Sequence, residues 1–394
     1  MAMVEGKRKL IVNLRHRVPD TARPCTLAGP RRRLFARRIP ELTARSLGGA
    51  RALSDPLYRT LRPPRLFPLF QEGPVSELQR DELHRTWVVM APERAGRPRD
   101  VVVTVSERAD HVCPFCPGHE HRTLNEIAAS GRGPGARGVD GWRVRVVPNL
   151  YPAVTPPLGT HEVVVLSPDH HRGLADLSGD EVADALHVVR ERLRALAAQE
   201  PPLRPLFFLN SGAAAGASLR HPHGQILATA DEPPVMATEL AAMTDWRRRH
   251  GGCLLCHEAD RARPEGRLVG QGRRCQVQAP VASRYAWELR FQPEAHAARF
   301  EEASEEIVRD LAGLVAGACR ALREVAGDPA YNLALHSAPE GEPGFHWHLE
   351  LTPRLAPMAG FEIGSGVHIN SVLPQVAAAS LREAMDPDLV RGIA

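Results

Sequence analysis

Two C-x-x-C pairs, Cys113/Cys116 and Cys253/Cys256, each lead to a distant histidine and then to an H-x-H triplet. No other feature of this 394-residue chain constrains its fold as strongly. After "CPFC", the strand-like "HEVVVLSPDH" ends at His170 and "HPHGQ" begins at His221. After "CLLC", "WELRFQPEAH" ends at His296 and "HWHLE" begins at His346. The first interval is 51 positions and the second 50, and a glutamate stands eight residues before the first histidine each time (Glu162, Glu288). The stretches ahead of the triplets also correspond, "FFLNSGAAAG" with "NLALHSAPEG". Self-similarity at a fixed period marks a duplicated unit. The chain therefore reads as two tandem halves, 76–235 and 236–394.

Each half has the same coarse pattern. Alternating strands ("WRVRVVP", "HEVVVLSP") precede an amphipathic helix, predicted over 178–199 in the first half and 304–327 in the second. Ser178 followed three residues later by Glu181 predicts a capping box. A strand ("LFFLNS"), a Gly/Ala loop and another strand ("HGQILATA") complete the unit, and "TWVVMA" reads as a strand near the start of folded sequence. The expected class is α+β, with two halves that are each an antiparallel sheet with a packed helix.

Charge is uneven. Residues 1–70 hold 16 Lys/Arg and 4 Asp/Glu, leaving 34 and 42 for the rest. A basic, Pro- and Arg-rich extension over 1–75, expected to be disordered, thus precedes an acidic folded part. The basic start and the Cys/His spacing raise the possibility of a nucleic-acid-binding module. Such a module should spread basic and aromatic residues over its folded surface; with an acidic folded part and 5% aromatics, no nucleic-acid partner is expected. No apolar run approaches the ~20 residues of a membrane span, so a soluble protein without a membrane partner is expected. Seven cysteines, an odd number, and no secretory signal point to a reducing cytoplasm.

Two thiolates from a tight turn and two imidazoles from elsewhere suit a closed tetrahedral zinc site. Cys113, Cys116, His170 and His221 are the candidate ligands in the first half. On a strand, residues two apart share a face, so His223 and Gln225 follow His221 on one side. A neutral imidazole is a nucleophile at pH 7, and Gln225 can donate to a phosphoryl oxygen. The upstream "NSGAAAGAS" offers backbone N–H groups to a phosphate, and Arg94 and Arg97 can neutralise a diphosphate. These features point to phosphoryl or nucleotidyl transfer.

"NSGAAAGASLRHPHGQI", with "CPFC" and "SPDH" upstream, resembles the galactose-1-phosphate uridylyltransferase family of the histidine-triad superfamily, over roughly residues 76–375. The resemblance implies ping-pong transfer through a nucleotidyl-histidine, with His223 as nucleophile and Gln225 on the transferred group. The donor and acceptor partners would be a nucleotide sugar and a sugar 1-phosphate, most naturally UDP-glucose and galactose 1-phosphate. It also implies phosphate contacts from Asn210, Gly216 and Ser218, a nucleotide contact from Asn149, a hexose contact from Glu362, and a homodimer. A phosphorylase-type relative would use inorganic phosphate as acceptor and ADP-glucose as donor. Gln225 stands where histidine-triad hydrolases carry a third histidine, which disfavours hydrolysis.

In the second half, Glu350 replaces Gln225 and Trp347 replaces Pro222, so catalysis is not expected there. A second zinc on Cys253, Cys256, His296 and His346 follows from the repeat. The lesser reading, taken from relatives, is a metal such as iron on Glu239, His336, His346 and His348. The two sets share His346 and cannot both be filled.

Overall fold

Ten strands join into one antiparallel sheet whose order retraces the duplication. The computed structural model describes residues 77–92, 112–132 and 141–390, all within one unit, Pro68–Ala394. The extension over 1–75 and the two arginines Arg94 and Arg97 lie outside the described residues.

A hairpin of β1 (Glu77–Asp81) and β2 (Thr86–Met90) comes first. The first half then supplies β3 (Ala128–Ser130), β4 (Val144–Pro148), β5 (Gly159–Val165), α1 (Gly179–Ala197), β6 (Arg204–Ser211) and β7 (His223–Thr229). The second half begins with α2 (Pro234–His250) and α3 (Leu254–Ala262), followed by β8 (Leu268–Gln271), β9 (Cys275–Gln278) and β10 (Leu289–Pro293). It continues through α4 (Glu305–Ala326), β11 (Tyr331–His336) and β12 (His348–Pro353). At the end come α5 (Gly360–Ser365), β13 (His368–Asn370), α6 (Pro374–Ala384) and α7 (Pro387–Val390). The short β13 joins β2 in parallel to make a separate three-stranded sheet.

The large sheet runs β3-β4-β5-β7-β6-β11-β12-β10-β9-β8. Outward from its centre, β6, β7, β5, β4 and β3 are matched by β11, β12, β10, β9 and β8. Two separate sheets were expected; antiparallel pairing of β6 with β11 (Leu209 opposite Leu333) fuses them into one. The expected helices are present. Ser178 caps α1 with the full reciprocal box, and the Ser304 side chain caps α4. Each such cap is worth about 0.5–2 kcal/mol.

Side chains alternate across the sheet. Val146, Val164, Ile226, Leu209, Leu333, Leu349, Leu351, Leu289 and Phe291 share a buried core with the apolar stripes of α1 and α4. The intervening residues share the opposite face, which therefore collects His161, His223, Gln225, Asn210, Asn332, His336, His348 and Glu350. Gly224 belongs to the core face, where an added Cβ would come within 2.7 Å of the Phe207 ring. Phe207 is fully packed in the core, so Gly224→Ala is expected to cost about 1–3 kcal/mol by overpacking. A lowered urea midpoint at unchanged slope would show it. Among the described residues, no helix is long and apolar enough to cross a membrane.

Candidate active site and metal centres

His223 is the first residue of β7, and its Nδ1 lies 2.7 Å from the His221 carbonyl oxygen. A carbonyl only accepts, so Nδ1 carries the proton and the Nε2 lone pair is left for reaction. Burial lowers the ring's pKa below the ordinary imidazole value, against the opposing effect of that hydrogen bond. The ring is therefore neutral at pH 7. Phe115 packs against it with centroids 5.3 Å apart. Two residues on, Gln225 has its Oε1 2.8 Å from His161 Nε2 and 3.5 Å from Asn149 Nδ2.

The expected phosphate loop follows β6, the strand beside β7. It makes one turn at Ala213–Ala215 between Gly212 and Gly216, both at positive φ, a region that costs glycine little. The Asn210 Oδ1 accepts from Asn332 Nδ2 at 2.8 Å, and the same Asn332 amide donates to the Ala215 carbonyl at 2.8 Å. A second-half strand thus holds the loop of the first half, which leaves the Asn210 NH2 on the Gly216 side. Ser218 is exposed at the end of the loop.

Cys113, Cys116, His170 and His221 converge, with their four donor atoms all within 4.8 Å of one another. The Cys116 Sγ is 3.4 Å from His170 Nδ1, and the Cys113 and Cys116 Sγ atoms are each 3.7 Å from His221 Nδ1. A tetrahedral ion with bonds of about 2.3 Å to sulfur and about 2.0 Å to nitrogen sets those atoms about 3.5 Å apart, so the donor set fits. His221 Nε2 donates to the Ser167 carbonyl at 2.8 Å, which turns the Nδ1 lone pair toward the thiols. Burial, and then the adjacent Cys113, push the Cys116 thiol up to about 11, while burial pulls His221 down to about 4. A bound cation would reverse the first shift by stabilising the thiolate.

Cys253, Cys256, His296 and His346 form a second such group. Both sulfurs lie 3.5 Å from His346 Nδ1, and the Cys256 Sγ lies 3.9 Å from His296 Nδ1. His296 Nε2 donates to the Pro343 carbonyl at 2.9 Å. The alternative set of Glu239, His336, His346 and His348 is split: His346 faces the thiols, whereas Glu239, His336 and His348 form their own buried cluster. His84, in the turn between β1 and β2, joins that cluster, an arrangement that nothing in the repeat pattern signals. Its Nε2 is 3.2 Å from Glu239 and 3.5 Å from Glu350, and its Nδ1 is 2.7 Å from Asp81. Burial and Arg284 lower the His84 pKa, but the Glu350 and Asp81 carboxylates outweigh them and hold it well above the ordinary value.

Glu350, the counterpart of Gln225, lies 2.6 Å from Arg284 and 3.3 Å from Arg290. His348 repeats the geometry of His223, with Nδ1 3.0 Å from the His346 carbonyl, but it is completely buried. Trp347 packs edge-on against Phe300 where the first half has Pro222. The second half keeps the scaffold and closes the site. Removing one partner of a buried ion pair typically costs about 3–5 kcal/mol. Glu350→Ala is expected to cost about 3 kcal/mol, the low end of that range, because Arg284 and Arg290 each keep one other carboxylate, Glu288 and Glu258. Urea unfolding checks this.

Glu362 lines a different cavity, of about 430 Å³, with Arg284, Tyr285, Trp287, His368 and Asn370 among its walls. All of its lining residues fall between 284 and 372, so the His223 site contributes none of them.

Residues 147–233 match the galactose-1-phosphate uridyl transferase N-terminal domain family. The chain is 30% identical to an ADP-glucose phosphorylase of Arabidopsis thaliana over 339 residues, covering 79% of this chain and 94% of that protein. It is 28% identical to the galactose-1-phosphate uridylyltransferase of Thermotoga maritima, covering 57% of this chain and 74% of the relative. The crystal structure of an A. thaliana ADP-glucose phosphorylase with bound ADP-glucose superposes with a TM-score of 0.70 at 30% identity, over 79% of this chain and 99% of the other. With its duplicated scaffold and its H-P-H-G-Q strand, the chain belongs to the galactose-1-phosphate uridylyltransferase family, in which uridylyltransferases and a nucleotide-sugar phosphorylase stand among its relatives.

Proposed function

We infer that the protein transfers a nucleoside monophosphate from a nucleotide sugar through a covalent intermediate on His223. The observation that carries this reading is the His223 ring, neutral and with its Nδ1 proton held by the His221 carbonyl. The Nε2 lone pair forms an N–P bond to the α-phosphorus as the bond to the hexose 1-phosphate oxygen breaks. That oxygen leaves with the electron pair. The ring becomes a cation, and its Nδ1–H···O=C bond strengthens as the charge develops. An acceptor phosphate oxygen then attacks phosphorus and the electron pair returns to Nε2. Gln225, Asn210 and the Gly212–Ser218 loop would hold the phosphoryl oxygens, with Arg94 and Arg97 neutralising the diphosphate and Asn149 on the nucleotide.

Zinc at both Cys2His2 groups would anchor the fold, including the strand that presents His223. These closed donor sets leave no coordination position for substrate. On donor and acceptor, the full-length likeness to an ADP-glucose phosphorylase, which the chain matches over 94% of its length, favours ADP-glucose and inorganic phosphate. UMP transfer from UDP-glucose to galactose 1-phosphate, a step of galactose metabolism, is the second reading; it rests on the uridylyltransferase relatives. Glu362 would contact the hexose. Because its cavity shares no lining residue with the His223 site, a homodimer in which one copy completes the other's site suits this role. None of the six described cysteines is in a disulfide, which supports a reducing, cytoplasmic location.

The test is mass spectrometry after incubation with ADP-glucose or UDP-glucose without acceptor. The expected result is an acid-labile adduct on His223, with the better-labelling donor naming the base. Absence of an adduct from both donors, on folded and metal-loaded protein, would overturn the reading.

A further inference from the structure

We propose that His161 is a positioning residue, which holds the Gln225 side chain with its carbonyl oxygen inward and its NH2 group toward the transferred phosphoryl. The proposal rests on the nucleotidyl-transfer reading of the His223 site. Three hydrogen bonds carry it. The Ala153 backbone N–H lies 3.0 Å from His161 Nδ1, so that nitrogen must accept. A neutral imidazole has one N–H and one lone pair, so the proton is on Nε2. Nε2 lies 2.8 Å from Gln225 Oε1 and can only donate to it.

The amide orientation of Gln225 follows by elimination. Its oxygen receives the His161 proton, with Asn149 Nδ2 at a longer 3.5 Å. An amide turned end for end would set its NH2 against the Nε2–H, donor against donor. Asn149 Oδ1 accepts the Tyr151 N–H at 2.9 Å, which turns the Asn149 NH2 toward the Gln225 oxygen; that NH2 also lies 3.3 Å from His161 Nε2, a contact between two donors that is no hydrogen bond. Gln225 is left with one free choice, to present its two N–H donors on the other side. Strand register places the pair together: Gln225 is paired with Val163, and His161 sits diagonally beside it on the same face of β5.

The repeat offers an internal comparison. Val163 pairs with Gln225 as Arg290 pairs with Glu350, so the place of His161, two residues before Val163, falls to Glu288 in the second half. Where Gln225 has become Glu350, His161 has become Glu288, and Arg284 lies 2.6 Å from both carboxylates. A carboxylate has no orientation to select and is held by arginines instead. Glutamine and histidine are thus lost together.

The experiment uses the full-length, metal-loaded protein with ADP-glucose and no acceptor, and follows the His223 adduct by rapid-quench mass spectrometry. His161→Phe, which keeps the ring and removes both hydrogen bonds, is expected to slow adduct formation by about 10- to 100-fold, with the donor concentration for half-maximal rate unchanged. His161→Gln, which can restore an N–H donor to Gln225, is expected to recover most of the rate. On a Gln225→Ala background, His161→Phe should slow nothing further. A wild-type rate in His161→Phe, or equal slowing on both backgrounds, would overturn the proposal. Nitrogen-15 imidazole spectra give an answer that does not depend on turnover: the Nε2–H tautomer of His161 is expected, and the Nδ1–H tautomer would overturn it. Should the wild-type protein form no adduct, the transfer reading fails, and the tautomer alone then decides whether His161 orients Gln225.

Discussion

His223→Ala is expected to abolish the nucleotidyl adduct and to lower turnover at least about 10³-fold, the scale on which an enzyme loses its nucleophile. The size of the effect follows from the role of the lone pair. Alanine leaves the phosphate loop, Gln225 and the metal ligands in place, but supplies nothing to form the N–P bond. Folding should change little by comparison. The His223 side chain ligates no metal, and its loss removes one ring contact with Phe115 and one hydrogen bond to the His221 carbonyl. Steady-state rates, adduct mass and metal content measured on one preparation separate these effects. Retained turnover at normal metal content would mean that the group is transferred directly, or from another residue.

Cys113→Ser is expected to remove one equivalent of metal and most of the protein's stability. Structural zinc contributes apparent binding energies of about 10–16 kcal/mol in small domains, against a total fold stability of about 5–15 kcal/mol. The first candidate metal group ties together segments that are far apart in sequence: the Cys113–Cys116 turn, the connection after β5 through His170, and the residues just before β7 through His221. His221 and His223 are separated by one residue, so loosening the first misplaces the second and activity should fall with the metal. Elemental analysis is expected to give two equivalents for the wild type and one each for Cys113→Ser and Cys253→Ser. A third equivalent, lost in Glu239→Gln, would assign an ion to the Glu239, His336 and His348 cluster. Because burial holds the empty-site Cys116 thiol at about 11, loading at neutral pH must release its proton. Metal affinity should therefore weaken as pH falls.

Much of this protein is written in one dimension. The two halves, their helices with Ser178 at the first cap, the two candidate Cys2His2 sets and the H-P-H-G-Q motif all follow from spacing and periodicity. A 3.6-residue stripe, a two-residue alternation and a chelating pair are local properties that survive in a string of letters. Other features depend on which strand edges meet and which buried side chains then find themselves within hydrogen-bonding distance. The pairing of β6 with β11 made one sheet of two and laid Asn332 against Asn210. His346 went to the thiols rather than to Glu239, while His84 reached Glu239 from 155 positions away. His161 looked like one more residue of a valine-rich strand until β5 paired with β7 and set it beside Gln225. The sequence by itself determined the duplicated scaffold and singled out His223 as the proposed nucleophile. Only the tertiary structure decided which partner each polar side chain would take, because a buried hydrogen-bonding group must be satisfied by whatever long-range packing brings within reach.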